Sequence, residues 1–219
     1  MIDWTPIRTV LLDMDGTLLD LHFDNHFWLE HVPRRYAEFH RLPEEEARAS
    51  LMARYRQVEG TMDWYCLDYW TRELGMDVAV MKQEVEHLIR VHPYVEPFLK
   101  AVRASGRRAV LVTNAHNKSL ALKLERTRLG EDFDRIVCSH DFGVPKENPV
   151  FWNHLQEVEP FDPAATLLVD DSLSVLRSAQ RYGIGQLLAV QRPDSRQPQR
   201  ETAEFEAIAT FRDIMPPSS

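Results

Sequence analysis

Thr9-Val10-Leu11-Leu12-Asp13-Met14-Asp15-Gly16-Thr17 decides how this chain is read. Its first four residues, apolar or β-branched and bounded by Pro6 before and Gly16 after, predict a short buried strand. The strand runs into Asp-Met-Asp-Gly-Thr, so polar chemistry begins at a strand's C-terminal tip. A lone Asp-Gly-Thr is ordinarily a turn. The pattern D-x-D-G-T fixes four residue types, which chance supplies in on the order of a few per thousand chains of this length. Here three further polar sites follow it in order: Thr113-Asn114, Lys146 and Asp170-Asp171.

Working outward, the chain beyond Pro93 alternates between two periods. Helices are predicted over 95–104, 118–129, 149–158 and 174–182, and apolar strands over 109–113, 135–139, 166–169 and 186–190. That alternation predicts an α/β fold with a doubly wound parallel sheet. Three of the four polar sites then sit directly after strands, where open α/β sheets bind ligands. Residues 21–92 are helical in pattern instead. Pro43 before Glu44-Glu45-Glu46 marks a helix start, Gly60 and Gly75 mark stops, and four helices are expected. The expected division is therefore a catalytic core of residues 1–20 and 93–219, with residues 21–92 as a helical cap inserted after the first strand. Residues 191–200 read as a surface loop before a short C-terminal element, and Pro216-Pro217-Ser218-Ser219 as a frayed end.

Length and composition exclude several classes. With 219 residues, 44% hydrophobic and 27% charged, the chain is an ordinary globular one. A net charge of −8 gives no basic footprint for nucleic acid. Cys66 and Cys138 match neither a disulfide framework nor a C-x-x-C spacing, which fits a reducing cytoplasm. Asp3, Pro6 and Arg8 interrupt any apolar leader, and no run of 18 apolar residues occurs, so no membrane partner is expected. There is no G-x-S-x-G elbow, no G-x-x-x-x-G-K-[ST] loop and no H-E-x-x-H helix.

The four polar sites together resemble the four motifs of the haloacid-dehalogenase-like (HAD) hydrolase superfamily, over nearly the whole chain. The resemblance implies a HAD-like Rossmannoid core and a phosphomonoesterase mechanism. Asp13 would attack phosphorus to form an aspartyl-phosphate, and Asp15 would protonate the leaving oxygen and later deprotonate water. Thr113, Asn114 and neighbouring N–H groups would hold the phosphoryl oxygens, and Lys146 would neutralise their charge. Mg2+ would be held by Asp13, the backbone carbonyl of Asp15 and Asp171, with Asp170 acting through water. Elementary electrostatics agrees, since each like-charge pair at about 4 Å costs roughly 4 kcal/mol at an effective dielectric of 20. Such a cluster calls for a cation, and an all-oxygen ligand set suits magnesium better than zinc.

Beyond these motifs, Val10–Trp28, Trp64–Trp70 and Thr113–Lys123 are similar to bacterial GMP/IMP 5'-nucleotidases of the superfamily. That similarity implies a purine mononucleotide substrate. Ten of the 21 aromatic residues fall within 21–92, which fits a lid, and Phe27, Trp64 and Tyr69 are named to stack on the base. Aromatics at helical spacing also build a helical bundle's own core. His22, His26, His31 and His40 lack the carboxylate spacing of a metal site. The chain is expected to act as a monomer or weak homo-oligomer. Alternatives are a phosphatase for another small metabolite, of sugar phosphate or phosphoglycolate type, and a phosphosugar mutase, which keeps both aspartates. A dehalogenase has no need of Asp15, and a non-catalytic binding protein would lose at least one chemical residue.

Overall fold

The computed structural model describes residues 2–217. Its centre is a sheet of six parallel strands: β1 (Thr9–Leu12), β2 (Arg108–Thr113), β3 (Arg135–Cys138), β4 (Thr166–Val169), β5 (Gln186–Val190) and β6 (Ala207–Ile208), in the order β3-β2-β1-β4-β5-β6. β1 lies between β2 and β4, with Leu12 level with both Leu111 and Val169. Asp13 and Asp170, the next residues after β1 and β4, and Thr113 at the end of β2 therefore lie on one edge of the sheet. Because the chain leaves β1 in both directions, this edge is also where the strand order reverses and a crevice opens.

Both faces of the sheet are covered, and the period-2 alternation of the strands divides them. Val10 and Leu12 face one apolar layer with Phe98 and Leu99 of α7 (Val95–Ala104). Leu11 faces the other, with Phe151, Trp152 and Leu155 of α9 (Pro149–Val158) and Val175 and Leu176 of α10 (Leu173–Tyr182). α8 (Asn117–Thr127) follows β2. Burial on both sides explains why β1 and β4 read as unbroken apolar runs.

Between β1 and α7 the chain builds a second apolar cluster from Phe23, Phe27, Leu51, Tyr55, Trp70, Leu74, Val78 and Met81. Its elements are α1 (His22–His26), a π-helical stretch Phe27–His31, α2 (Val32–His40), α3 (Glu44–Val58), a single turn α4 (Met62–Tyr65), α5 (Leu67–Leu74) and α6 (Val78–Glu84). The four helices expected from pattern thus become three longer stretches, a bent one through His40 and one isolated turn. Pro33 accounts for the bend, since it has no N–H to give the carbonyl of Leu29, four residues earlier. Arg48 donates to that carbonyl instead, and Tyr55 Oη donates to the carbonyl of Trp28 at 3.3 Å. Gly60 and Gly75 stand where stops were read, both at positive φ.

Two readings need correction. Residues 191–200 are not a plain surface loop, because Pro193 O accepts from Leu21 N–H and His92 Nε2, and the buried Asp194 accepts from Asn25 Nδ2 at 2.7 Å. Polar composition hid a segment that ties both ends of the insertion to the sheet. Of the expected frayed end, Pro216 is buried and Pro217 exposed, while Ser218 and Ser219 lie outside the described residues. β6, only two residues long, was legible merely as a short C-terminal element.

Trp70, 1% exposed, sits at the middle of the insertion's own cluster and donates from Nε1 to Trp64 O at 3.0 Å. Trp70→Ala is expected to destabilise this unit by about 3–5 kcal/mol. Limited proteolysis should then cut between residues 22 and 88 first; simultaneous loss of protection across the sheet would mean that the two clusters fold as one.

Candidate active site

Asp13 extends β1 by one residue, its N–H donating to Val169 O at 3.0 Å, and its side chain is buried at the mouth of the crevice. Gly16 turns the chain at φ +80°, and a Cβ there would meet the Asp171 carboxylate at 2.7 Å. Glycine is thus demanded twice over, by backbone conformation and by the approach of the fourth motif to the first.

Lys146 joins three of the four motifs. Its ammonium, 1% exposed, donates to Asp13 Oδ1, to Asp170 Oδ2 at 2.7 Å and to Val112 O at 3.0 Å, which uses all three hydrogens. Burial works against this charge, but Asp13 and Asp170 outweigh burial and hold its pKa above the ordinary lysine value. Carboxylate oxygens of Asp13, Asp170 and Asp171 lie within 4.8 Å of one another. Among the described residues, Arg200, 3.5 Å from Asp171 Oδ2 and 38% exposed in its side chain, is the one further cation paired with this group. Three carboxylates against one buried ammonium leave an excess of negative charge. Burial raises the Asp13 carboxyl to about 6 despite Lys146. Asp171 is raised well above its usual value, by burial first and then by Asp13 and Asp170. An all-oxygen donor set with this charge deficit fits a hard divalent cation. The side chain of Asp15 is not part of the group.

Asp15 instead accepts from Lys123 Nζ at 2.6 Å, and Lys123 also donates to Asp24 Oδ2 at 2.7 Å. Lys82 donates to Asp24 from the other side and to Ser119 Oγ at 3.2 Å. This buried chain alternates in sign and crosses from β1 and α8 to α1 and α6 of the insertion. Burial again dominates at Asp15, whose carboxyl is raised to about 6 against the pull of Lys123. Asp24, flanked by both ammoniums, is held down at about 2 although burial opposes it.

Thr113 Oγ1 accepts from Ala115 N–H at 3.0 Å, so its own hydroxyl proton remains to donate. Asn114, expected on the phosphate, has its side-chain amide committed elsewhere. Oδ1 accepts from Lys146 N–H and Nδ2 donates to Glu147 Oε2, both at 2.9 Å. Its side chain therefore places Lys146, and the main chain is what remains for an oxyanion. Glu147 is held in turn by Tyr65 Oη of the insertion.

These groups line a cavity of about 320 Å³ that reaches from Asp13, Lys146 and Asp171 to Trp28, Leu29, Tyr55 and Trp64 of the insertion. Of the three aromatics named from sequence, only Trp64 lines it. Phe27, with 0% exposure, is enclosed in the insertion's core and has no face for a ligand, and Tyr69 packs edge-on against Trp70 away from the cavity. The π-helical stretch carries Phe27 inward and Trp28 to the cavity wall. Sequence reading also missed Lys82, Lys123, Asp24, Glu147 and Tyr65. A signal existed for the two lysines, which fall four residues after Val78 and three after Leu120 on faces otherwise buried. The four histidines of the insertion's first half have separate partners, such as Glu84 for His31 at 2.7 Å and Leu74 O for His40 at 3.2 Å. None joins a cluster of three or more ligand side chains among the described residues.

Similarity to known proteins agrees with this geometry. The chain is 39% identical over 215 residues to the GMP/IMP nucleotidase YrfG of Escherichia coli (strain K12), which covers 98% of this chain and 97% of that one. It is 26% identical over 183 residues to a phosphoglycolate phosphatase of Nitrosospira multiformis, covering 81% of each. Among solved structures, the HAD phosphatase from Thermococcus onnurineus superposes with a TM-score of 0.78 at 22% identity, covering 94% of this chain and 95% of that one. The family model of haloacid dehalogenase-like hydrolases matches residues 7–183, and the chain belongs to that family.

Proposed function

We propose that the chain is a Mg2+-dependent phosphomonoesterase that works through phosphorylated Asp13 and acts on a purine nucleoside 5'-monophosphate, GMP or IMP. The observation that carries this reading is the meeting of Asp13, Asp170, Asp171 and Lys146 in one cavity with the indoles of Trp28 and Trp64.

An oxygen of Asp13 attacks phosphorus, the ester P–O bond breaks, and its electron pair leaves with the alcohol oxygen, which takes a proton from Asp15. Water then returns a proton to Asp15 as its oxygen attacks phosphorus, and the bond to Asp13 breaks, releasing phosphate. A carboxyl raised to about 6 serves both directions near neutral pH. The Thr113 hydroxyl donates to the phosphoryl oxygens, and the Lys146 ammonium neutralises their charge. Mg2+ would be held by Asp13, the backbone carbonyl of Asp15 and Asp171, with Asp170 acting through water, and would supply the positive charge that lets an anionic nucleophile meet an anionic phosphate.

The 39% identical nucleotidase supports a nucleotide substrate, as does a cavity of about 320 Å³ walled by aromatics, far larger than a two-carbon phosphoester needs. No helix among the described residues is long and apolar enough to cross a membrane, and Cys66 and Cys138 are both unpaired. Those thiols fit a cytoplasmic enzyme.

A phosphate-release screen across nucleotides, sugar phosphates and phosphoglycolate tests the assignment. GMP and IMP should be the best substrates, and chelation should abolish release until Mg2+ is restored. A sugar phosphate that rearranges without releasing phosphate, and only with a bisphosphate primer, would make the chain a mutase. Trp64→Ala should raise KM for GMP about fivefold or more, the size of a lost base–indole stack of about 1–3 kcal/mol. Turnover of ribose 5-phosphate should not change; equal losses on both would take the indole off the base.

Proton and cation compete for the same carboxylates. Because burial raises Asp13 to about 6, the folded chain keeps a proton there between about pH 4 and 6 that the unfolded chain has released, so its contribution to stability falls as pH rises through that window, and Asp171, raised well above its usual value, acts in the same direction. Mg2+ should therefore raise Tm more at about pH 7.5 than at about pH 5.5. A shift independent of pH, or one that survives in Asp171→Asn, would place the ion elsewhere.

A further inference from the structure

Apart from the aspartate cluster, a second set of ligand-type side chains comes together where the insertion meets the sheet. Cys66 lies between α4 and α5, His116 immediately precedes α8, and His140 sits in the 3₁₀ turn after β3. Each offers one donor atom, Sγ or a ring nitrogen, and the three donors lie within 4.8 Å of one another. The two imidazoles meet edge to face with centroids 4.9 Å apart. His140 Nε2 is buried without a hydrogen-bond partner, an orphan that a cation would satisfy. Cys66 forms no disulfide. The phosphoryl-transfer steps use none of the three.

We propose that Cys66, His116 and His140 bind a divalent cation of the zinc class, stapling the helical insertion to the strand tips. One thiolate and two imidazoles select zinc over magnesium, whereas the all-oxygen aspartate site selects the reverse, so the two sites sort two cations. Tetrahedral zinc sets sulfur and nitrogen ligands roughly 3.3–3.6 Å apart, which side-chain rotations of about an ångström reach from the present arrangement. Asp68, whose Oδ2 is 3.6 Å from His116 Nε2 and whose Oδ1 accepts from Lys118 Nζ at 2.6 Å, borders the group without belonging to it, which leaves the fourth position of the tetrahedron to water. His116 Nδ1 now accepts from Lys118 N–H at 3.3 Å. Ligation through Nε2 moves the ring proton to Nδ1 and ends that long bond. Since His116 also lines the catalytic cavity, the cation holds the insertion and the 113–116 segment in one relative position.

Co2+ titration of the metal-stripped full chain, with Mg2+ in excess to fill the carboxylate site, tests this directly. A thiolate-to-cobalt charge-transfer band and the strong visible bands of a tetrahedral site should both saturate at one equivalent and disappear when Zn2+ is added. Cys66→Ser should lose the charge-transfer band while keeping Mg2+-dependent phosphate release, and Cys138→Ser should keep the band. His140→Gln, a second variant on the other side of the joint, should lose the tetrahedral visible bands. Absence of a charge-transfer band in the unaltered chain at one equivalent overturns the proposal whatever the variants do. So does a band that survives Cys66→Ser or vanishes in Cys138→Ser.

Discussion

One buried ammonium holds the site together. Lys146 gives its three hydrogens to Asp13, Asp170 and the carbonyl of Val112, which end or border three different strands. Without that charge the two carboxylates would face each other across a crevice of low dielectric, at a cost of several kcal/mol. With it they remain together, yet Asp171 stays in excess, which is why the cluster calls for a cation as well. The lysine is itself positioned, since Asn114 takes its N–H, and Glu147 and Tyr65 hold Asn114. A tyrosine of the insertion thus reaches Lys146 through two hydrogen-bonded side chains.

A second chain of charges links the insertion to Asp15. Lys123 and Lys82 are buried with the partly buried Asp24 between them, and the three alternate in sign from α8 to α1 and α6. Buried pairs are poor sources of stability, because desolvation offsets most of their attraction. What such a chain fixes is geometry: the rotamer of Asp15 and the seat of the helices over the strand tips depend on the same two ammoniums. Function and fold therefore meet at these residues rather than in either apolar layer.

Much of this was legible in the sequence because it is written at fixed offsets. D-x-D-G-T, the alternation of strands with helices, and polar residues placed just past strand ends depend on local period and chain order alone. The rest depends on tertiary approach. Phe27 and Trp28 are adjacent and chemically alike, and only a π-turn forced by Pro33 decides which faces the cavity. Pattern could not show that Asp194, in a stretch rich in turn residues, would be buried against Asn25. Cys66, His116 and His140 are separated by 50 and 24 residues, spacings that no metal motif contains, and only the joint between insertion and sheet brings them together. Lys82 and Lys123 could have been noticed as charges on apolar helix faces, though nothing in their spacing named Asp24 as the partner.

Phosphorylation of Asp13 is the step on which the chemistry turns. The most direct measurement is to quench the enzyme during turnover of GMP with Mg2+, reduce the acyl-phosphate with borohydride and map the product by peptide mass spectrometry. Homoserine should appear at position 13 and nowhere else, dependent on both substrate and cation. Reduction at another carboxylate, or none at position 13 under conditions where phosphate is being released, would contradict covalent catalysis through this residue.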